Sequence, residues 1–179
     1  MDRHHGRMIT FDELHRIAPD IAGPVLDRFR ASGLGMLGTL RRDGSPRVSP
    51  IEVAVLEGRL YIGMMPGSRK ALDVLRDDRI SLVTALADRH DMGGEGKLFG
   101  RAAPVTDLAR ADAVFAAHST EAGYDPDDVR GSPLFEVVVS GAAWQYVEGD
   151  AFTTRSWVEG GPVRLRRREG ATGDVVDVA

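Results

Sequence analysis

Tight-turn signals divide most of this chain into short apolar segments from Leu34 onward. Asp43-Gly44, Glu57-Gly58 and Pro66-Gly67 are dipeptides typical of turns, and segments of strand length lie between them. Strands that are joined by such short turns pair with their sequence neighbours in antiparallel fashion. Sheets of many short antiparallel strands generally close into a barrel or form a sandwich, because closure removes exposed edges. The sequence therefore predicts a mainly β fold with inserted helices.

The apolar patterning places at least six strands and four helices along the chain. We predict strands at 35–40, 45–56, 59–64, 80–87, 97–105 and 134–147, and a closing hairpin at 150–157 and 163–168. Helices are expected after the capping box of Thr10 and Glu13, at 24–31 with Gly33 as the stop, at 68–76 and at 107–118. Pro50 lies inside a predicted strand and lacks an amide proton, which predicts a bulge or an edge at that position.

Composition excludes several classes of protein. The 179 residues include no cysteine, so disulfides, thiolate metal sites and cysteine nucleophiles are impossible. The formal net charge of −4 argues against general nucleic-acid binding. No apolar run approaches the roughly 20 residues of a membrane span, and the N-terminus lacks the apolar core of a secretory signal. We therefore expect a cytoplasmic protein that binds neither nucleic acid nor membrane.

The most informative segment is Pro66-Gly67-Ser68-Arg69-Lys70. Ser68 is a good N-cap, but two cations follow it in the first turn of the predicted helix. The N-terminus of a helix already carries partial positive charge and unpaired amide groups, so cations there are locally unfavourable. A phosphate at this point would accept from the amides, the hydroxyl and both side chains. The alternative is that Arg69 and Lys70 simply point into solvent.

These segments, taken in order, resemble a known family. Asp43-Gly44-Ser45-Pro46, Leu60-Tyr61-Ile62, Gly67-Ser68-Arg69-Lys70-Ala71, Asp78-Arg79-Ile80-Ser81-Leu82 and Gly100-Arg101-Ala102 are similar in order and spacing to the core of the pyridoxamine 5′-phosphate oxidase-like family. That family comprises FMN-binding split barrels and their deazaflavin-using relatives. The resemblance implies an antiparallel split β-barrel of the FMN-binding type. The fold class is then α+β, mainly β with inserted helices. The implied division is a helical extension at 1–33, a cofactor-binding barrel at 34–169 and a flexible tail at 170–179.

The resemblance also implies a set of cofactor-binding residues. Ser68, Arg69 and Lys70 would lie at the cofactor phosphate. The second strand would run beside the ring system and offer backbone groups to it, while Gly63 and Met64 would lie under the ribityl chain or ring. The strand residues concerned are Ser49, Pro50, Ile51 and Glu52. The oxidase has an arginine where this chain has Ser49, so Arg47 is a candidate replacement for that phosphate ligand.

The C-terminal segment carries a more distant similarity. Trp157, Arg164-Leu165 and Arg168 resemble the closing tryptophan and arginine motif of the oxidase, in which the second arginine binds FMN. This implies Trp157 and Arg168 as cofactor contacts. The spacing is one residue longer here, and Arg166 replaces a histidine, so specificity for the vitamin substrate does not carry over. The alternative is an exposed hairpin strand with solvated arginines.

The sequence offers no metal site or hydrolytic centre. The five histidines have no metal-ligand spacing, and His118 is interpreted as a cation near a helix end. The leading hypothesis is an FMN-dependent oxidoreductase that acts on a small molecule, with no catalytic side chain identified. A deazaflavin-dependent reductase and a flavin- or haem-binding module without turnover are the alternatives.

A homodimer with its cofactor at the interface is implied by the family. Residues 134–147 add support, because they are apolar on both faces of a predicted strand. A partner chain would cover the outer face. The helix predicted at 107–118 could supply the same cover within one chain.

Overall fold

The computed structural model describes residues 8–85, 93–123 and 125–178. Its helices are α1 (Phe11–Ile17), α2 (Pro19–Ser32), α3 (Arg69–Arg76), α4 (Leu108–Ala122) and α5 (Pro126–Val129). Its strands are β1 (Leu34–Leu40), β2 (Pro46–Leu56), β3 (Arg59–Gly63), β4 (Arg79–Thr84), β5 (Glu95–Pro104), β6 (Leu134–Glu148), β7 (Ala151–Val158), β8 (Arg164–Glu169) and β9 (Val175–Val178). No helix within these described ranges is long and apolar enough to cross a bilayer.

Six antiparallel strands form a closed barrel, which confirms the predicted fold class. They are hydrogen-bonded in the order β3-β2-β1-β4-β5-β6, and pairing of β3 with the start of β6 closes the ring. The second half of β6 continues past the barrel and pairs with β7, to which β8 and β9 are added. The turn residues Gly44, Gly58 and Gly67 all have positive φ, so the turn signals mark true chain reversals.

The apolar side chains of α2 contribute to the core of the barrel. Ile21, Val25 and Phe29 are fully buried and belong to the same apolar cluster as the inward residues of the strands. The helix begins at Pro19 rather than at the predicted residue 24, and Pro24 lies inside it. Burial of this apolar face outweighs the single hydrogen bond that Pro24 cannot donate. Gly33 ends the helix in the left-handed conformation, as predicted.

The end of the chain differs from the expected flexible tail. Residues 175–178 form β9, which pairs with β8 in antiparallel register. A hydrogen bond from the Arg166 Nε to Asp177 at 2.9 Å adds to this pairing. The tight turn at Gly170 and Gly173 and the β-branched residues after it favour a short hairpin. The remaining division of the chain into an extension and a barrel stays a prediction.

α4 lies on the outer face of the barrel. Its Val114 and Phe115 pack on Ala54, Tyr61 and Leu134, the outward residues of β2, β3 and β6. α4 therefore covers Leu134, the first residue of β6, within one chain. β2 runs through Pro50 without a bulge; there the strand pairs with β1 on one side only, so Pro50 lies at an edge.

Candidate functional site

A trough on the outside of the barrel brings together half of the predicted site residues. It lies where β2 leaves the pairing with β1 and meets β3, and it encloses about 370 Å³. Its lining consists of Leu34, Pro50, Ile51, Glu52, Gly63, Met64, Met65 and Lys70. Six of these eight were predicted from the sequence. Residues far apart in the chain, on β2, after β3 and on α3, thus form one concave surface.

The N-terminus of α3 forms one end of the trough. The Ser68 hydroxyl caps the helix by accepting a hydrogen bond from the Ala71 amide at 3.4 Å. The first turn contains no acidic residue. Lys70 extends to β2, where its Nζ donates to the Pro50 carbonyl at 2.7 Å. Burial lowers the pKa of Lys70, against the opposing effect of the nearby Glu52 carboxylate.

An arginine-rich groove lies on the other side of the same helix. This arginine groove encloses about 690 Å³ and is lined by Arg41, Arg42, Asp43, Arg47, Arg69, Leu72, Asp73 and Arg76. Arg69 and Lys70 therefore face different cavities, with the start of α3 between them. An anion at that helix end would lie within the field of both cations.

Arg47 is tied to α3 by a buried carboxylate. Its Nε donates to Asp73 at 2.6 Å, and Arg76 and Thr39 each donate to the same side chain at 3.2 Å. Burial opposes ionisation of Asp73, but the hydrogen bonds from Arg47 and Arg76 lower its pKa below the ordinary value. Arg47 thus lines the groove next to α3, and its charge is already balanced by Asp73.

Apart from Ser68, which caps α3, three predicted residues lie outside both cavities. Ser49 points into the half-buried face of β2, opposite Leu37. Trp157 is buried in the core. Arg168 donates to the carbonyl oxygens of Gly173 at 3.0 Å and Ala171 at 2.5 Å, and so fastens the β8–β9 turn. Within one chain the structure does not bring Trp157 or Arg168 to the trough. β8 is mostly exposed, which is the arrangement that the alternative interpretation of this segment described.

α4 supplies a neighbour that the sequence did not predict. The His118 Nε2 lies 3.1 Å from the Glu52 Oε2, at the point where the trough meets α4. The helix continues to Ala122, so His118 lies inside it and not at its end. Only the docking of α4 on β2 brings these two residues together, and no spacing in the sequence indicates that contact.

The whole of this arrangement lies within one recognisable family. The family model described as pyridoxamine 5′-phosphate oxidase matches residues 24–147, which include the second part of α2, the six barrel strands, the trough and α4. The chain belongs to the pyridoxamine 5′-phosphate oxidase family. Members of that family typically bind a flavin. A search of curated proteins gives no match.

Several solved structures share the fold of this chain. The Mycobacterium tuberculosis protein Rv2991 is 21% identical, with a TM-score of 0.59 over 77% of this chain and 84% of that one. A heme binding protein from Mycobacterium smegmatis is 22% identical, with a TM-score of 0.57 over 74% and 56% of the two chains. PhzG from Burkholderia lata 383, solved with tetrahydrophenazine-1-carboxylic acid, is 12% identical, with a TM-score of 0.62 over 87% and 96%.

Proposed function

We propose that this protein is an FMN-dependent oxidoreductase that acts on a small molecule, with the cofactor held in the trough. The observation that carries the proposal is the trough itself. It joins a stretch of β2 that has a strand neighbour on one side only, the side-chain-free position of Gly63 and the N-terminus of a helix whose first turn holds two cations. A flat ring with a phosphate on a chain needs these three elements together.

Each end of the trough has a distinct role in this proposal. Ser68, Arg69 and Lys70 would hold the phosphate at the start of α3. The edge of β2 around Pro50 and Glu52 would orient the ring, while Met64 and Met65 would exclude water from one side of it. The bound flavin supplies hydride transfer. No acid–base side chain is required for that transfer, so the contribution of the protein is binding, orientation and exclusion of solvent.

The phosphate site is tested by two substitutions at the start of α3. A charge-assisted contact contributes about 1.5–3 kcal/mol, so Lys70→Ala and Arg69→Ala should each weaken FMN binding roughly tenfold to a hundredfold. Arg16→Ala, which removes an exposed cation from α1, is the matched control and should leave affinity unchanged. Quenching of flavin fluorescence measures the three dissociation constants. Wild-type affinity in both α3 variants would refute the phosphate site.

Catalysis is tested separately from binding. The absorption spectrum of the purified protein distinguishes flavin, deazaflavin and haem. The reduced protein should then pass electrons to a quinone, an enone or a tetrapyrrole faster than free flavin does under the same conditions. If every acceptor reacts only at the free-flavin rate, the protein is a binding module without turnover.

A deazaflavin-dependent reductase is a second candidate, and the arginine groove favours it. A deazaflavin carries a long acidic tail, which needs cations beyond the phosphate site. Arg42 and Arg69 line the groove, and neither makes an ion pair with another described residue. If the tail binds there, Arg42→Ala should weaken deazaflavin binding several-fold and leave FMN binding unchanged. Equal effects on both cofactors would argue against this candidate.

We propose further that two chains pair through an uncovered outer face of the barrel. Val48, Phe99 and Val158 lie in one cross-strand row on β2, β5 and β7, and are 66%, 47% and 67% exposed. Met36 and Pro50 in the adjacent row link this face to the trough. A two-fold partner would cover the row and close the cofactor site. Light scattering at micromolar concentration, with and without cofactor, should give the mass of two chains; the mass of one chain in both conditions would refute the dimer.

A further inference from the structure

The arginine groove carries more positive charge than its own acidic residues can balance. Five of its eight lining residues are arginines, and two are aspartates. No described residue lines both this groove and the trough. An anion that fills the groove would therefore lie beside the trough without entering it.

A buried carboxylate fixes two of the arginines at the wall of the groove. The side chain of Asp73 is 6% exposed and accepts from the Arg47 Nε at 2.6 Å and from the Arg76 Nη2 at 3.2 Å. Arg76 also donates to the Leu40 carbonyl at the end of β1. Among the described residues, none accepts a hydrogen bond from either Nη atom of Arg47. One carboxylate thus orients two guanidinium groups, and the three side chains together keep a positive charge.

The second aspartate of the groove is engaged within a turn. The hydrogen bond from the Ser45 hydroxyl to Asp43, at 2.7 Å, and then that from the Ser45 amide, at 2.9 Å, lower the pKa of this carboxyl group. The charge of Arg41 adds to the same effect. Arg42 and Arg69 are exposed and make no ion pair with another described residue. Uncompensated charge therefore comes from two elements, the β1–β2 turn and the start of α3.

This pattern of charge fits two linked phosphate groups better than one. A phosphate monoester carries a charge of about −1.5 to −2 at neutral pH, whereas the lining of the groove has three more positive than negative side chains. Guanidinium groups bind phosphate oxygens in pairs, which favours arginine at phosphate sites. Leu72, which is 46% exposed, adds an apolar surface for the organic part of a ligand.

We propose that the arginine groove is a second phosphate site, which binds a molecule with a diphosphate group while the trough holds the cofactor. The proposal rests on the proposed function only in placing the cofactor phosphate at the trough. FMN has one phosphate and leaves the groove open, whereas the acidic tail of a deazaflavin would compete for it. Nucleotides and free pyrophosphate both carry the diphosphate group that the arginines would bind.

The test titrates three phosphate compounds into the full-length, cofactor-free protein. Isothermal titration calorimetry at constant ionic strength, without divalent metal, measures the affinity for orthophosphate, pyrophosphate and ADP. Pyrophosphate and ADP should each bind at least tenfold more tightly than orthophosphate. An ADP affinity above that of pyrophosphate assigns the groove to a nucleotide, and one at or below it assigns the groove to the free anion. Equal affinity for orthophosphate and pyrophosphate would overturn the proposal.

Two variants locate the binding in the groove. Arg42→Ala removes an exposed cation from the β1–β2 turn and should weaken pyrophosphate binding roughly tenfold. Arg47→Lys keeps the charge but loses the planar fork, and should weaken it several-fold. Arg16→Ala on α1 is the matched control and should bind as wild type does. Circular dichroism checks folding, and wild-type affinity in folded Arg42→Ala would overturn the assignment whatever Arg47→Lys does.

Saturation with FMN separates the groove from the trough. The FMN-saturated protein should still bind pyrophosphate, and Arg42→Ala should leave FMN affinity unchanged. Loss of pyrophosphate binding on saturation would overturn the proposal, because the anion would then occupy the position of the cofactor phosphate. If the protein binds no FMN, the proposed function fails, while the titrations of the cofactor-free protein and of Arg42→Ala still decide whether the groove binds a diphosphate.

Discussion

Replacement of Asp73 by Asn should destabilise the protein by about 2–3 kcal/mol and loosen the helix that starts at the trough. The side chain of Asp73 is 6% exposed and accepts hydrogen bonds from Arg47 and Arg76. Each charge-assisted bond contributes about 1.5–3 kcal/mol. The Arg47 and Arg76 side chains are 24% and 36% exposed, so water would compensate part of that loss. The net loss in the free energy of unfolding is therefore about 2–3 kcal/mol. For a chain of 179 residues this corresponds to a fall in Tm of roughly 4–12 °C.

The pH dependence of the effect identifies its cause. The folded-state pKa of Asp73 lies below its ordinary value, so its stabilising contribution is complete above that ordinary value of about 3.9 and is lost as the pH falls through the lower, folded-state pKa. The stability difference between wild type and Asp73→Asn should therefore be constant from pH 5 to 7 and should shrink below pH 4.

Urea denaturation followed by tryptophan fluorescence measures this difference at each pH. Asp177→Asn is the matched control, because it removes an exposed partner of Arg166 and should cost less than about 1 kcal/mol. A loss in Asp73→Asn no larger than in the control, or one that does not change between pH 7 and pH 3, would refute the electrostatic argument.

Three further substitutions test the fold and the site. Gly100→Ala should destabilise the protein severely or prevent folding, because its Cβ would lie 1.9 Å from the Val138 carbonyl oxygen, opposite the bulge at Ser140 of β6; soluble yield and Tm measure this. Phe29→Ala should cost about 3–5 kcal/mol, because it opens a void at a fully buried position of the core, and a Tm near that of wild type would contradict the packing of α2 against the barrel. His118→Ala should lower Tm by no more than about 4 °C in thermal denaturation, because the Glu52 carboxylate that it pairs with is 56% exposed and such a pair contributes about 0–1 kcal/mol.

The parts of the fold that follow local rules were predictable from the sequence. The turns at Gly44, Gly58 and Gly67 depend on φ values that glycine adopts readily, so dipeptide signals located them. The bulge or edge expected at Pro50 is an edge, and the bulge lies on β6 at Ser140, opposite Phe99 and Gly100, where the Val138 carbonyl approaches Gly100 closely. That approach depends on the partner strand and is invisible in the local sequence.

The site residues also fall into those that local sequence predicts and those that only tertiary packing brings together. The trough residues on β2 and α3 were predicted because they lie in contiguous segments with a recognisable pattern. The His118–Glu52 pair joins residues 66 positions apart, and the Arg47–Asp73 pair joins residues 26 apart. Both contacts depend on how a helix docks on the barrel, and the packing that decides the docking is tertiary.

β6 joins the barrel to the hairpins that follow it, and this has a consequence for synthesis on the ribosome. Until its first residues emerge, β3 and β5 both present unpaired edges, and the ring cannot close. Roughly three quarters of the chain must therefore leave the exit tunnel before any barrel exists, with apolar strands exposed meanwhile. A chain that ends before Leu134 would be expected to aggregate, whereas one that ends after β6 would retain every barrel strand.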